Sequence, residues 1–256
     1  MLPDLIKIGP LAIHSYGLML AVSFLAGIWV LEHQAKHQGL PKEKITDLGL
    51  VIMLASVVGS RAMYVLTHLG EYSDNWLSVL AVWEGGLTFY GGFIFGTLAA
   101  VFYSKKLGVS FWHLADMAAP AFALGLGLGR IGCFLNGCCF GKPSELPWAV
   151  TFPDQGMAGL AAGCRVHPTQ LYEALFGFAL FGLLWALRKR KIYDGFKVSL
   201  MFLLYGAWRF IIDYFRFYEQ SQRWVLGLTN NQWISLTIIL FALLAGLVLK
   251  LKHKPR

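Results

Sequence analysis

Seven long apolar stretches, set apart by short polar ones, organise this chain. They run roughly over Leu11–Leu31, Leu48–Leu66, Leu87–Tyr103, Phe111–Leu128, Leu171–Leu187, Val198–Phe217 and Trp233–Leu251. A helix needs about 20 mostly apolar residues to cross about 30 Å of hydrocarbon, and each stretch meets or nearly meets that length. The pattern predicts an all-α polytopic membrane protein with about seven transmembrane helices. Gly-Gly pairs interrupt the third stretch and Pro120 the fourth. Residues 1–256 read as a single transmembrane domain, with 129–170 as an outer loop or head segment between spans four and five. No internal repeat is evident. The first stretch is long and lacks a basic leader and an A-x-A site, so it reads as a span and not as a signal peptide.

Composition agrees. Hydrophobic residues make up 57% of the chain and charged residues 14%, against about 25% charged in ordinary soluble domains. The net charge of +8 invites a nucleic-acid reading, but placement argues against one. Fourteen of the 22 basic residues fall after spans one, three and five or in the C-terminal tail. The positive-inside rule puts those segments in the cytoplasm. The N-terminus is then outside and the C-terminus cytoplasmic, and the basic clusters are topology signals that touch anionic lipid.

An ionisable side chain at membrane depth costs at least a few kcal/mol and is a functional candidate by default. Arg61, Glu84, Arg130, Glu173, Arg209 and Asp213 all fall toward the outer half of their spans, whereas Asp116 falls in the cytoplasmic half. Arg209 and Asp213 are four residues apart and share a helix face with Tyr205. A structural salt bridge is the competing explanation for each charge, above all for Asp116 and Arg61. Two aspartates at different depths do not make an intramembrane protease pair. The bias to one leaflet speaks against a proton-relay transporter. An inactive lipid-binding protein is a third class.

Glycines crowd around Arg130 and around Tyr90. Gly125–Gly129 and Gly92–Gly96 have the small-xxx-small spacing that lets helices approach. Gly-Arg-Ile-Gly and Asn136-Gly137 at the end of a span suit an anion site instead. There glycines permit positive φ and free backbone N–H groups, and a guanidinium offers a planar fork to phosphate. Cys133, Cys138, Cys139 and Cys164 lie in or beside the outer segment. C-x4-C-C lacks the regular spacing of a zinc site, so no metal is expected. The cysteines read as small packing residues, with room for one disulfide.

The run Gly129-Arg130-Ile131-Gly132-Cys133-Phe134-Leu135-Asn136-Gly137-Cys138-Cys139-Phe140-Gly141 resembles the signature of the bacterial prolipoprotein diacylglyceryl transferases. Four further segments resemble that family in order: His14–Gly17, Trp83–Leu87 through Gly91-Gly92, His167–Glu173, and Tyr205-Gly206 with Arg209, Asp213 and Arg216. The resemblance covers essentially the whole chain. It implies an enzyme of the bacterial inner (plasma) membrane that moves the diacylglyceryl group of phosphatidylglycerol to the lipobox cysteine of a prolipoprotein signal peptide. A thioether forms and glycerol phosphate leaves. By the same resemblance Arg130 and Arg209 hold the phosphate, Asn136 and Gly141 shape its pocket, and Tyr16 and Tyr205 line the lipid site. Glu84, Asp213 and Glu173 orient the arginines or close the cavity. No cofactor and no nucleic acid is implied; the partners are the two substrates and membrane lipids.

The chain departs from some family members in three places. Tyr90 stands where they carry a histidine assigned as the base for the thiol, and Cys133 and Cys138 stand where they carry Asn and Glu. A phenol of pKa near 10 is a poor base at neutral pH. Tyr90 is therefore a site residue whose role is either to orient substrate or to act as a base made more acidic by an arginine.

Overall fold

Each apolar stretch forms a helix: α1 (Ser15–His37), α2 (Lys42–Thr67), α3 (Phe89–Leu107), α4 (Phe111–Asn136), α5 (Thr169–Ala186), α6 (Phe196–Ile212) and α7 (Asn230–Lys252). The structure, a computed structural model, describes residues 4–8, 11–72, 76–82, 85–152, 163–190, 192–217 and 227–253. Among these, five helical segments are long and apolar enough to cross a membrane: Ser15–His37, Lys42–Thr67, Phe111–Asn136, Thr169–Lys189 and Asn230–Lys252. α3 and α6 are shorter, at 19 and 17 residues. Large apolar side chains such as Leu25, Leu54, Val58, Leu175 and Leu244 stand exposed along the helices, as lipid-facing positions do. The chain is a mostly helical, polytopic membrane protein.

Three boundaries differ from the apolar pattern. The first helix starts at Ser15, because Leu11–His14 is a strand, β2, paired antiparallel with β1 (Asp4–Ile8). The β-branched residues Ile6, Ile8 and Ile13 favour extended backbone, and hydropathy cannot tell such a strand from the start of a span. α4 continues past Leu128 to Asn136 and accommodates Pro120 in its interior. α6 stops at Ile212, and the next turns close by Phe215 N–H to Ile212 O (3.0 Å) and Arg216 N–H to Asp213 O (3.3 Å). Asp213 is thus the C-cap of α6 and Arg216 lies beyond the helix.

The chain forms two contact units, Met1–Leu31 with Ala115–Arg256, and Glu32–Leu114. In the second unit α2 and α3 are antiparallel, and glycines bring them together. A Cβ at Gly92 would lie 2.5 Å from Ser60 Oγ, and one at Gly96 2.5 Å from Ser56 Oγ. A Cβ at Gly91 would collide with the Gly59 carbonyl. Gly91 and Gly92 therefore serve helix packing in front of Tyr90.

In the first unit α4 and α5 are antiparallel, with Gly127 against Gly177: a Cβ on Gly177 would sit 2.7 Å from Gly127 N. A Cβ on Gly125 or Gly129 would meet no described atom within 4 Å, so the close approach uses Gly127 and not the Gly125–Gly129 pair that spacing suggests. α6 and α7 are also antiparallel, with Gly206 against Ser235 and Ile239, and Gly246 against Ser199. Thr229 and Gln232 cap α7 reciprocally. Between α4 and α5, β3 (Val150–Thr151) and β4 (Arg165–Val166) pair antiparallel. Phe140, Phe152 and Val166 bury one another there. The head segment thus has its own small core. It also adds strand to a fold that reads as wholly helical in sequence.

Candidate functional site

Glu173, in the first turns of α5, is the centre of the most densely charged region described. Its side chain is 3% exposed, and three arginines converge on it. Arg130, from the last third of α4, bonds Glu173 Oε2 through Nε. Arg209, near the C-terminus of α6, places Nη1 3.7 Å from Glu173 Oε1 and 3.4 Å from Asp213 Oδ1. Arg216, just after α6, donates from Nη1 to Glu173 Oε1 at 3.3 Å. Asp213 also accepts from the Thr229 hydroxyl. The helices place these groups because α4 and α6 run the same way and α5 runs against them, so the end of two helices meets the start of the third. Three guanidiniums and two carboxylates thus meet among the described residues.

The segment after α4 is fastened over this region by polar contacts. Gly137 takes φ 79° to end the helix, and Cys139 is left-handed at φ 65°. Gln170 Nε2 donates to Cys138 O at 2.7 Å and Thr169 Oγ1 to Cys139 O at 2.9 Å. Gly141 donates to His167 O at 2.9 Å and forms a bridge with Arg216. A Cβ on Gly141 would lie 2.5 Å from Phe215 O and 2.7 Å from His167 Cβ, so only glycine fits between the two strips of backbone. The Asn136 side chain lies against the Cys138 sulfur. Tyr16 packs on Gly132, whose missing Cβ would be 3.3 Å from its ring. Burial, then the Lys142 ammonium, hold the His167 imidazole below its ordinary range. That ring also meets the Tyr172 hydroxyl at 3.3 Å.

None of the remaining described candidates takes part in the ion pairs of this cluster. Asp116 accepts from Gly195 N–H (3.0 Å) and Val198 N–H (2.9 Å), so it caps the first turn of α6 at the opposite end of that helix. Its burden is structural. Arg61, in the other unit, gives its guanidinium to backbone carbonyls: Ser78 (2.6 Å), Val79 (2.8 Å), Gly85 (2.8 Å) and Gly86 (3.2 Å). Tyr64 and Tyr72 stack near it. Tyr90, on the first turn of α3 in that same unit, is 66% exposed and edges against Phe89. Tyr205 sits one turn before Arg209 on α6. Glu84 lies outside the described residues.

Two features of the cluster were not singled out by spacing. Arg216 is named only with the sixth-span segment of the resemblance, yet it completes the arginine set; its distance from Arg209 crosses a helix end that the apolar pattern does not mark. Gln170 and Thr169 read as the polar start of a span, yet both are buried and hold the 138–139 backbone. Their polar character directly before an apolar stretch was the available clue.

A family model described as Prolipoprotein diacylglyceryl transferase matches residues 3–248. Proteins named phosphatidylglycerol–prolipoprotein diacylglyceryl transferase are similar over nearly the full length. That of Bordetella avium is 39% identical over 96% of this chain and 92% of its own. That of Solidesulfovibrio magneticus is 39% identical over 94% and 92%, and that of Pseudomonas fluorescens 40% identical over 93% and 87%. With the signature run lying on the arginine cluster and the match covering both contact units, the chain belongs to the prolipoprotein diacylglyceryl transferase family.

Proposed function

We propose that this chain is a phosphatidylglycerol–prolipoprotein diacylglyceryl transferase of the bacterial inner membrane, acting on the lipobox cysteine of a prolipoprotein signal peptide. The observation that carries this reading is the arginine set around Glu173. Its guanidiniums offer planar forks of donors to a phosphodiester, which carries one negative charge. The substrate thiolate attacks the glyceryl carbon that bears the phosphate. The S–C bond forms as the C–O bond breaks, and the electron pair leaves on glycerol phosphate. Negative charge therefore grows on the phosphate during reaction, and fixed cations aimed at it lower the barrier.

Arg130 and Arg209 hold the phosphate, Arg216 stands beside them, and Glu173 and Asp213 fix the guanidinium orientations. Asn136 and Gly141 shape the headgroup pocket, while Tyr16 and Tyr205 line the lipid site. Glu84 takes part in closing the cavity. Tyr90 orients lipid or thiol through its hydroxyl, and the phosphate or a water accepts the thiol proton. The seven helices all span the bilayer, with the N-terminus outside and the C-terminus in the cytoplasm, and residues 1–256 act as one transmembrane domain. The cluster then faces the outer leaflet, where a secreted precursor presents its cysteine. Purified protein supplied with labelled phosphatidylglycerol and a lipobox peptide should add the mass of one diacylglyceryl group to the peptide cysteine. No mass gain from well-folded protein would refute the assignment.

A further inference from the structure

Cys133, Cys138 and Cys139 bring their three sulfurs within 4.8 Å of one another, and all three are free thiols. The transfer reaction uses none of them. Spacing in sequence hides the arrangement: Cys133 is on the last turn of α4, while Cys138 and Cys139 follow the helix and fold back. The fold-back is enforced from outside the sulfurs. Gly137 and Cys139 both take positive φ, Gln170 and Thr169 hold the two cysteine carbonyls, and Cys138 Sγ returns toward Cys133 O.

We propose that this thiol triad is a binding site for one soft, thiophilic metal ion, with copper(I) the best-fitting class. Sulfurs bonded to a single ion at about 2.3 Å stand nearly 4 Å apart, so small side-chain rotations would close the triad on it. Thiolates select soft ions. Among the described residues no histidine or carboxylate joins the group, which favours a three-coordinate ion over one that needs four ligands. Binding displaces the three thiol protons to solvent and involves no redox change.

The site also has a regulatory consequence, and this part rests on the function proposed above. Three thiolates and one monovalent cation add a formal −2 beside the arginine cluster, which opposes an anionic headgroup. Metal occupancy should therefore weaken phosphatidylglycerol binding and slow transfer, and a chelator should restore both.

The direct test needs no activity. The detergent-purified chain, reduced by a phosphine and kept anaerobic, is titrated with copper(I) against a chromogenic copper(I) chelator, with zinc as comparator. One ion per chain should be withdrawn from the chelator. X-ray absorption should show three sulfur neighbours, and zinc should bind more weakly. Loss of outer-shell partners alone weakens metal sites about 10–100-fold; the Cys133→Ser/Cys138→Ser/Cys139→Ser variant should lose more. Cys164→Ser should bind as the parent does. Single Cys→Ser variants cover the case in which the triple variant fails to fold, each with weakened binding. Equal binding by parent and serine variants, nitrogen or oxygen neighbours at the copper, or no withdrawal from the chelator would overturn the site. Normal binding with unchanged transfer would refute only the regulatory consequence.

Discussion

Arg61 and the Arg130–Arg209–Arg216 set are arginines in the same chemical predicament, removed from water in or just beyond apolar helices, and the fold resolves them differently. Arg61 is met by four neutral carbonyls and two aromatic rings. Four of its five N–H donors go to backbone, and what they secure is the chain between α2 and α3. The other three share the carboxylates of Glu173 and Asp213. Those contacts orient the guanidiniums. A buried arginine held by carbonyls is a fastening. Arginines oriented by carboxylates on different helices present forks of donors suited to an anion.

The change that should break this comparison most severely is Glu173→Gln. It leaves three guanidiniums around a neutral amide, and removing one partner of a buried ion pair costs about 3–5 kcal/mol. Both the thermal midpoint and transfer should fall sharply; a variant of parental stability would mean that Glu173 does not hold the arginines.

Arg61→Met comes next. It strips charged donors from four carbonyls, and a charged hydrogen bond is worth about 1.5–3 kcal/mol. Denaturant or thermal unfolding should register a loss of that order, while the folded fraction transfers at near the parental rate. Lost turnover at full stability would place Arg61 with the functional arginines instead.

Tyr90→Phe should have a smaller effect. If the hydroxyl orients substrate, turnover falls about tenfold, close to one hydrogen bond in the transition state. A loss of about a hundredfold or more, together with a missing ionisation in the pH–rate profile, would identify a base.

The smallest effect concerns His167, the wall of the cluster. Its folded pKa is lowered, so the folded state binds fewer protons than the unfolded chain between the two values. Its stabilising contribution is full above the ordinary histidine pKa of about 6.5 and is lost as pH falls toward the folded value. Thermal midpoints measured across that range should fall less in His167→Gln than in the parent.

Much of this molecule was legible in its sequence, because bilayer thickness imposes a length on apolar stretches. All seven stretches form helices, and the costly residues Arg130, Glu173, Arg209 and Asp213 meet. What escaped depends on things hydropathy does not record. Leu11–His14 is apolar whether strand or helix. The stop of α6 at Ile212 is set by turn hydrogen bonds inside an apolar run. Which glycine packs is decided by helix phase, which favours Gly127 over Gly125 and Gly129. The cysteine triad exists only because Gly137 and Cys139 reverse the chain, and no ligand spacing advertises that.

The central claim is that the arginines around Glu173 hold the departing phosphate. It is tested most directly by single-turnover transfer from labelled phosphatidylglycerol to a lipobox peptide, comparing the parent with Arg130→Lys and Arg209→Lys, each shown to fold. Lysine keeps the charge and loses the fork of donors, and loss of one fixed donor to a developing anion costs about 10²–10³ in rate. Both variants should fall by that order with their helical content intact. Parental rates in either one would contradict the account.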